Sequence, residues 1–305
     1  MNVKVIDILE NIPSLKGYSS VEKIDEGYSA DNKYIVNVRL NRYLLRLSDK
    51  RFKDKRKLEF LLLQDLEKQG VQTNKAIEHI FLEKASLSVM VLSYIDGIPA
   101  NEVISVLPDE TQYEIGIVAG QQLRKIHAVN APQDFNWEVT QKKKFSYYLS
   151  EYRKGSFKLK NEDEIIRFIE GNLSQLKHRP STLLHDDFHL GHIILHNNAY
   201  NGFIDLNGYD FGDPYHDFYN LSLFSRRVSV PYCIGQIKSY FPNNQPDHTF
   251  WRLYALYAAM NLFSTIVWTR KYDEHSFDDA LERIDLILQD HDYFNFDKPL
   301  WYKTV

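Results

Sequence analysis

The sequence predicts an α+β fold in two lobes, a small N-terminal lobe built on an antiparallel sheet and a larger, mainly helical C-terminal lobe. Three observations predict it. Residues 19–50 alternate apolar and polar with period two, as half-buried strands do. From residue 109 the apolar spacing turns helical, and the C-terminal third is rich in aromatic residues of the kind that bury area on helices. A chain of 305 residues is also long enough for a large core divided between two lobes.

The elements follow in order. Residues 34–38 and 43–47 read as strands around a turn near Asn41, with Arg46 on the second of them. The preceding loop, 26–31, contains Gly27 and Ser29 but has a single glycine and no G-x-G-x-x-G, so by itself it reads as an ordinary hairpin turn. Residues 55–69 have helix-forming composition, with Leu58, Leu62 and Leu66 at helical spacing, Glu59 among them and Gly70 as the stop. Residues 87–92 read as a strand leading into Ser93, Tyr94 and Ile95, and 96–99 as a turn. Residues 109–128 form an amphipathic helix with Ile115, Val118, Leu123 and Ile126 on one face, where His127 reads as a structural or capping histidine.

The chemistry concentrates further on. Residues 185–192 read His185-Asp186-Asp187-Phe188-His189-Leu190-Gly191-His192, and Asp205 ends a later apolar run, Gly202-Phe203-Ile204. In the kinase pattern H-x-D-x-x-x-x-N, the Asp takes or orients the proton of an attacking hydroxyl. The residue five places on and a later Asp hold the metal that bridges nucleotide phosphates. His185, Asp187, position 192 and Asp205 fit that spacing, with His192 where the pattern has Asn. Residues 192–195 and 202–205 read as two strands around an Asn-rich turn at 196–201. A register pairing Leu195 with Gly202 sets His192 across from Asp205, and a slip of one residue spoils it.

These residues, with Gly212-Asp213-Pro214 and Asp217-Phe218 soon after, resemble the aminoglycoside phosphotransferase and choline kinase superfamily of small-molecule kinases. The superfamily's loop is H-G-D-x-x-x-x-N, so Asp186 replaces its Gly and His192 its Asn; at position 192 the chain resembles the 2''-aminoglycoside and macrolide kinases. The resemblance runs from about residue 20 into the C-terminal helices and is sharp between 183 and 218. It implies a protein-kinase-like fold, with 1–94 as nucleotide-binding lobe and 95–305 as catalytic and substrate-binding lobe. It implies Asp187 as catalytic residue and His192 and Asp205 as ligands of Mg²⁺ or Mn²⁺. For ATP or GTP it implies Gly27 and Ser29 at the phosphates, Arg46 in place of the usual Lys, and Glu59 orienting Arg46. Ser93, Tyr94 and Ile95 fall beside the purine. Asp213 and Asp217 resemble carboxylates that brace the loop.

The implied acceptor is a hydroxylated small molecule, an aminoglycoside-like amino sugar first, with a macrolide, choline, homoserine or another sugar behind it. The stretch from Asp205 onward carries more acids than bases, which suits a cationic acceptor, although single acidic residues there also read as a solvated helix face. Composition is that of a globular protein, 44% hydrophobic and 26% charged. A net charge of −4 argues against a nucleic-acid partner. The longest apolar stretch, 254–268, is too short to span a bilayer and no hydrophobic signal opens the chain. One cysteine, Cys233, fits a reducing, cytoplasmic setting. Three rivals stand beside the kinase reading. Four histidines (185, 189, 192, 196) raise a zinc hydrolase, although no compact zinc spacing appears. The altered position 192 raises a nucleotide-binding pseudokinase, and a non-catalytic binding module is the third.

Overall fold

The computed structural model describes residues 5–25, 29–243 and 245–303. It has the α+β architecture expected, in two compact units: residues 1–97 with 201–207, and residues 98–200 with 208–305.

The first unit opens with α1 (Val5–Leu9) and continues through β1 (Tyr18–Ile24), β2 (Asn32–Val38), β3 (Asn41–Asp49), α2 (Lys53–Lys68), β4 (Ala76–Leu82) and β5 (Leu87–Ser93). The strands form one antiparallel sheet in the order β1-β2-β3-β5-β4. Period-two alternation divides its faces. Val36, Val38, Leu45, Leu47, Val89 and Val91 point to one side, where Ile8, Leu9, Ile12 and Leu15 close the core. Arg46 and Ser48, on the alternate positions of β3, point to the side carrying α2.

That second face explains a departure from the helical pattern. Leu62, Leu63 and Leu66 are buried, but Leu58 is 44% exposed. Its place in the buried stripe is taken by Arg56 and Glu59, polar residues that an apolar template does not count. The helix stops where Gly70 turns into the left-handed region, φ 69°, with its amide donating to the Glu67 carbonyl.

The larger unit runs through β6 (Ile98–Pro99), α3 (Ala100–Val103), α4 (Asp109–Ile126), α5 (Trp137–Lys154), α6 (Glu162–Asn172), β7 (Thr182–Leu184) and β8 (Ile193–His196). Then β9 (Ala199–Phe203) carries the chain back into the first unit, and β10 (Asp210–Gly212) returns it before α7 (Val230–Tyr240), α8 (His248–Tyr272) and α9 (Phe277–Asp290). Its core gathers α5, α6, α8 and α9, with Leu253, Leu256, Tyr257, Leu262 and Phe263 of α8 at the centre. The C-terminal aromatics are therefore mostly packing, although Trp268 remains 37% exposed. Among the described residues no helix is long and apolar enough to cross a membrane.

The turn after β8 is shorter than its Asn-rich composition suggests. Only Asn197 and Asn198 form it, both left-handed (φ 50° and 62°), the conformation that asparagine tolerates best after glycine. A two-residue turn sets His196 beside Ala199, a different register from the one read in the sequence.

Helices α4 and α7 cross at backbone contact. A Cβ on Gly116 would lie 2.2 Å from the Tyr232 carbonyl oxygen, one on Gly120 2.2 Å from that of Gln236, and one on Gly235 2.3 Å from that of Tyr113. Only glycine fits at each, because the obstacle is main chain and cannot rotate away. Gly116→Ala should therefore force the helices apart and destabilise the protein by about 1–3 kcal/mol, read as a lowered denaturation midpoint. Wild-type stability in that variant would contradict so close a crossing.

Candidate functional site

In the larger unit, β7 leads into the loop 185–192. Its position is set by alternating anchors. His185, Phe188 and Leu190 are buried, whereas the Asp187 side chain is 46% exposed. The loop's polar backbone is satisfied from beneath by one carboxylate: Asp217, wholly buried, accepts the amides of His185 (2.9 Å) and Asp186 (2.8 Å). Asp217 is itself held by His127 Nε2 at 3.0 Å, and His127 Nδ1 meets the Tyr240 hydroxyl at 2.9 Å. His127 is thus a structural histidine. Asp213 is braced differently, accepting Arg179 Nε at 2.7 Å and the Tyr257 hydroxyl at 2.7 Å.

Asp186 occupies the left-handed region, φ 63°, a conformation glycine adopts without strain. Its carboxylate lies 3.2 Å from His216 Nδ1 and 3.7 Å from Lys144 Nζ of α5. Burial works to raise the Asp186 carboxyl, but Lys144 and His216 outweigh it and hold it below the ordinary range. The Lys144 ammonium is correspondingly pushed up, by Asp186 first. Asp210, at the start of β10, is pushed up by burial and by repulsion from Asp186. Lys144, Asp210 and His216 are charged or polar neighbours of Asp186 that motif spacing did not reveal. Only the Gly-to-Asp replacement at 186 hinted at them.

The imidazoles around Asp187 have assignable protons. The Asp187 amide donates to His185 Nδ1 (3.3 Å) and the Gly191 amide to His189 Nδ1 (3.0 Å), so both nitrogens are acceptors. His192 Nδ1 faces the Asp187 carbonyl at 2.8 Å, so that nitrogen bears the proton and the lone pair able to ligate a cation lies on Nε2. His192 therefore suits a single-point ligand. Burial works to raise the Asp187 carboxyl, but His189, then His192 and His185, hold it down at about 2.

In the first unit, Arg46 is buried in a closed ring of ion pairs. Its guanidinium meets Glu59 Oε1 at 2.5 Å and Asp31 Oδ2 at 2.8 Å, while Arg56 meets Glu59 Oε2 and the same Asp31 oxygen, each at 2.8 Å. Arg56 Nε also donates to Ser48 at 3.0 Å. Burial would depress the Arg46 guanidinium, yet Glu59 and Asp31 hold it above its ordinary value. Burial likewise opposes ionisation of Asp31, but Ser48, Arg46 and Arg56 keep its carboxyl low. Asp31 and Arg56 escaped sequence reasoning. For Arg56 the signal was its spacing, one helical turn before Glu59.

Ser29 lies near this ring and its hydroxyl accepts the Asp31 amide at 3.2 Å. Gly27 lies outside the described residues. After β5, the amides of Ser93 and Tyr94 donate to the Lys75 carbonyl (2.9 Å) and the Arg42 carbonyl (3.1 Å), and the Ser93 carbonyl accepts Asn74 Nδ2 (2.8 Å). Tyr94 lies under the Arg42 guanidinium, 4.5 Å away, and the Ile95 side chain packs toward Gly202. Residues 201–207 are tied to this unit: the Phe203 amide donates to the Gln72 carbonyl at 3.1 Å and Thr73 Oγ1 to the Phe203 carbonyl at 2.9 Å. Asp205, half-buried and left-handed (φ 69°), accepts the Asn207 amide group.

Residues 20–254 match the model of the phosphotransferase enzyme family. No curated protein sequence matches the chain. Solved structures share its fold. The GDP complex of wild-type aminoglycoside 2'-phosphotransferase-IIIa aligns with TM-score 0.69 at 16% identity, covering 93% of this chain and 96% of that one. The gentamicin complex of APH(2")-IIa aligns with TM-score 0.65 at 17% identity, over 95% and 97%. The streptomycin–ATP complex of APH(2")-IIa aligns with TM-score 0.65 at 16% identity, over 93% and 97%.

The Arg46 ring makes its own prediction. Glu59→Ala leaves two buried guanidinium groups sharing one carboxylate, and should cost about 3–5 kcal/mol in denaturant unfolding. A loss below roughly 1 kcal/mol would mean that water replaces the carboxylate at no cost. Because the Asp31 carboxyl is lowered in the folded state, its contribution is complete above the unfolded carboxylate pKa, roughly 3.9, and is lost as pH falls below it. Asp31→Asn should accordingly flatten part of the acid limb of the stability curve.

Proposed function

From membership of the phosphotransferase enzyme family, to which this chain belongs and which makes it a small-molecule kinase acting on hydroxyl groups, we propose that it transfers the γ-phosphoryl group of ATP or GTP to a hydroxylated, cationic acceptor. The observation that carries the reading is Asp187: an ionised carboxylate, open to solvent, at the kinase spacing, on a loop whose every anchor is buried.

The acceptor hydroxyl attacks phosphorus as the bond to the bridging oxygen of the nucleoside diphosphate breaks. A carboxyl held near 2 is a weak base at neutral pH. Asp187 therefore orients the hydroxyl from the start and takes its proton only as the new O–P bond forms. Arg46 steadies the nucleotide phosphates, Glu59 holds Arg46, and the loop of Ser29 serves the phosphates. Ser93, Tyr94 and Ile95 border the base. His192, through Nε2, and the Asp205 carboxylate would hold Mg²⁺ or Mn²⁺. The donor chemistry fits, with Mn²⁺ the better match to a nitrogen ligand. When bound, the ion neutralises phosphate charge.

Aminoglycosides are the first acceptors to test. The excess of acids after Asp205, together with the named ligands of the structural relatives, supports a cationic sugar. Gentamicin, streptomycin, a macrolide, choline and homoserine, each with ATP and with GTP, form the deciding panel. Turnover of none, together with thermal-shift silence toward both nucleotides in Mg²⁺, would sink the reading.

Asp187→Asn should lower turnover by roughly 10²-fold or more and leave nucleotide binding intact, because the carboxylate acts on the chemical step. The low Asp187 carboxyl also has a consequence in pH. Its ionised form persists down to about 2, so this group causes no loss of turnover near neutrality. Any acid limb between roughly pH 5 and 7 should come from an imidazole, which ligates only when unprotonated. If His192 is a ligand, His192→Asn should stay active with Mg²⁺ and lower the Mn²⁺/Mg²⁺ activity ratio. An unchanged Mn²⁺/Mg²⁺ ratio would rule out His192 as a ligand.

A further inference from the structure

We propose that His189 is a positioning residue, which fixes the Asp187 carboxylate by donating to one oxygen and so turns the other toward the acceptor hydroxyl. The inference rests on the kinase reading of Asp187. Its basis is the proton on a ring nitrogen. His189 caps the short turn 190–192, where the Gly191 amide donates to Nδ1 at 3.0 Å. A neutral imidazole has one N–H, so an accepting Nδ1 puts it on Nε2. That atom lies 3.1 Å from Asp187 Oδ1.

The ring is also held in orientation. It lies against Phe224 and His192, each with centroids 4.4 Å away, and the His192 amide closes the turn onto the His189 carbonyl at 2.9 Å. Gly191 completes the seat: a Cβ there would lie 2.8 Å from His189 Cε1 and 3.1 Å from Nδ1. With Oδ1 engaged, Oδ2, which lies 3.5 Å from His192 Nδ1, is the oxygen left for substrate. The depressed pKa of the Asp187 carboxyl agrees with this contact, since among the groups that lower it His189 ranks first.

Asp187, His189 and His192 are also close enough to suggest a three-ligand metal cluster. Proton placement opposes that alternative. Ligation through His189 Nε2 would move the ring proton to Nδ1, where the Gly191 N–H already points, and two N–H groups would then face each other at 3.0 Å. The cluster is a hydrogen-bonded array rather than a zinc set.

The test uses the full chain and two readouts. Imidazole ¹H–¹⁵N spectra should show His189 as the Nε2–H tautomer, with its signal moving in Asp187→Asn; an Nδ1–H tautomer overturns the proposal whatever the reaction. Phosphate release from ATP and GTP in Mg²⁺, with water as acceptor, gives the second. His189→Leu should lower kcat about 10- to 10²-fold with nucleotide KM within about twofold, the cost of a misaimed group. His189→Gln, which returns an N–H near the Nε2 position, should recover most of it. Gly191→Ala, which tilts the ring without removing it, should reproduce the loss if the Leu variant does not fold. Wild-type kcat in a folded His189→Leu beside an inactive Asp187→Asn overturns the role of His189 alone. Wild-type kcat in Asp187→Asn overturns the kinase reading itself.

Discussion

The arrangement of the loop 185–192 depends on one buried carboxylate. Asp217 accepts the amides of His185 and Asp186, and without it two adjacent main-chain donors would lie in the interior unpaired, at a cost of about 1–3 kcal/mol each. The same carboxylate is gripped by His127 at the end of α4, and His127 by Tyr240 at the end of α7. Where those two side chains meet is decided by how closely α4 and α7 cross, which in turn is decided by Gly116, Gly120 and Gly235. Three absent methyl groups thus set the height of a carboxylate, and that carboxylate sets the loop that carries Asp187. The position of a solvent-facing group is fixed through rigid main chain and fully bonded polar atoms, with no flexible side chain as an intermediary.

Within the loop, histidines do the work of orientation by having their protons assigned. Each of His185, His189 and His192 meets a main-chain group through Nδ1, twice as acceptor and once as donor. Four histidines within twelve residues suggest a metal centre to anyone counting ligands. Proton assignment makes different use of them: one accepts a loop amide, one sets its Nε2 3.1 Å from the Asp187 carboxylate, and one turns its protonated nitrogen to the Asp187 carbonyl. Ligand counting and hydrogen-bond assignment differ here because a main-chain amide, silent in any side-chain motif, decides the tautomer of His189.

The legible part of the sequence was the part governed by short-range periodicity. The strands at 32–38, 41–49 and 87–93 and the helices at 53–68 and 109–126 follow from alternation, helical spacing and one terminal glycine, and the loop at 185–192 from its residue spacing. The Arg46–Glu59 ion pair was foreseeable only through the family resemblance, which pairs a strand cation with a helix carboxylate. What remained hidden depends on contacts distant in sequence. Leu58 looked like core because an apolar template cannot anticipate that Arg56 and Glu59 would occupy the buried stripe. The turn at 197–198 was overestimated because asparagine composition marks a turn but not its length. Lys144 and His216 lie far in sequence from Asp186, and no spacing rule joins them. The roles of the site residues belong to chemistry that neither periodicity nor packing reads directly.

The ring around Arg46 is the other constraint, and its logic is electrostatic. A buried guanidinium with one carboxylate partner would still be under-bonded, since it carries five donors. Here two arginines and two carboxylates alternate, so the set is neutral and each charge touches two of opposite sign. An arginine at position 46 is what permits the closure, because a planar fork can meet Asp31 and Glu59 at once whereas an ammonium is a point charge. The consequence is that the guanidinium is placed by β3 and α2 before any ligand arrives. Ordering it against a ligand then costs little, and its reach is limited by the two acids that hold it. A residue so placed trades adaptability for preorganisation, and Arg56 is the partner that makes the trade stable.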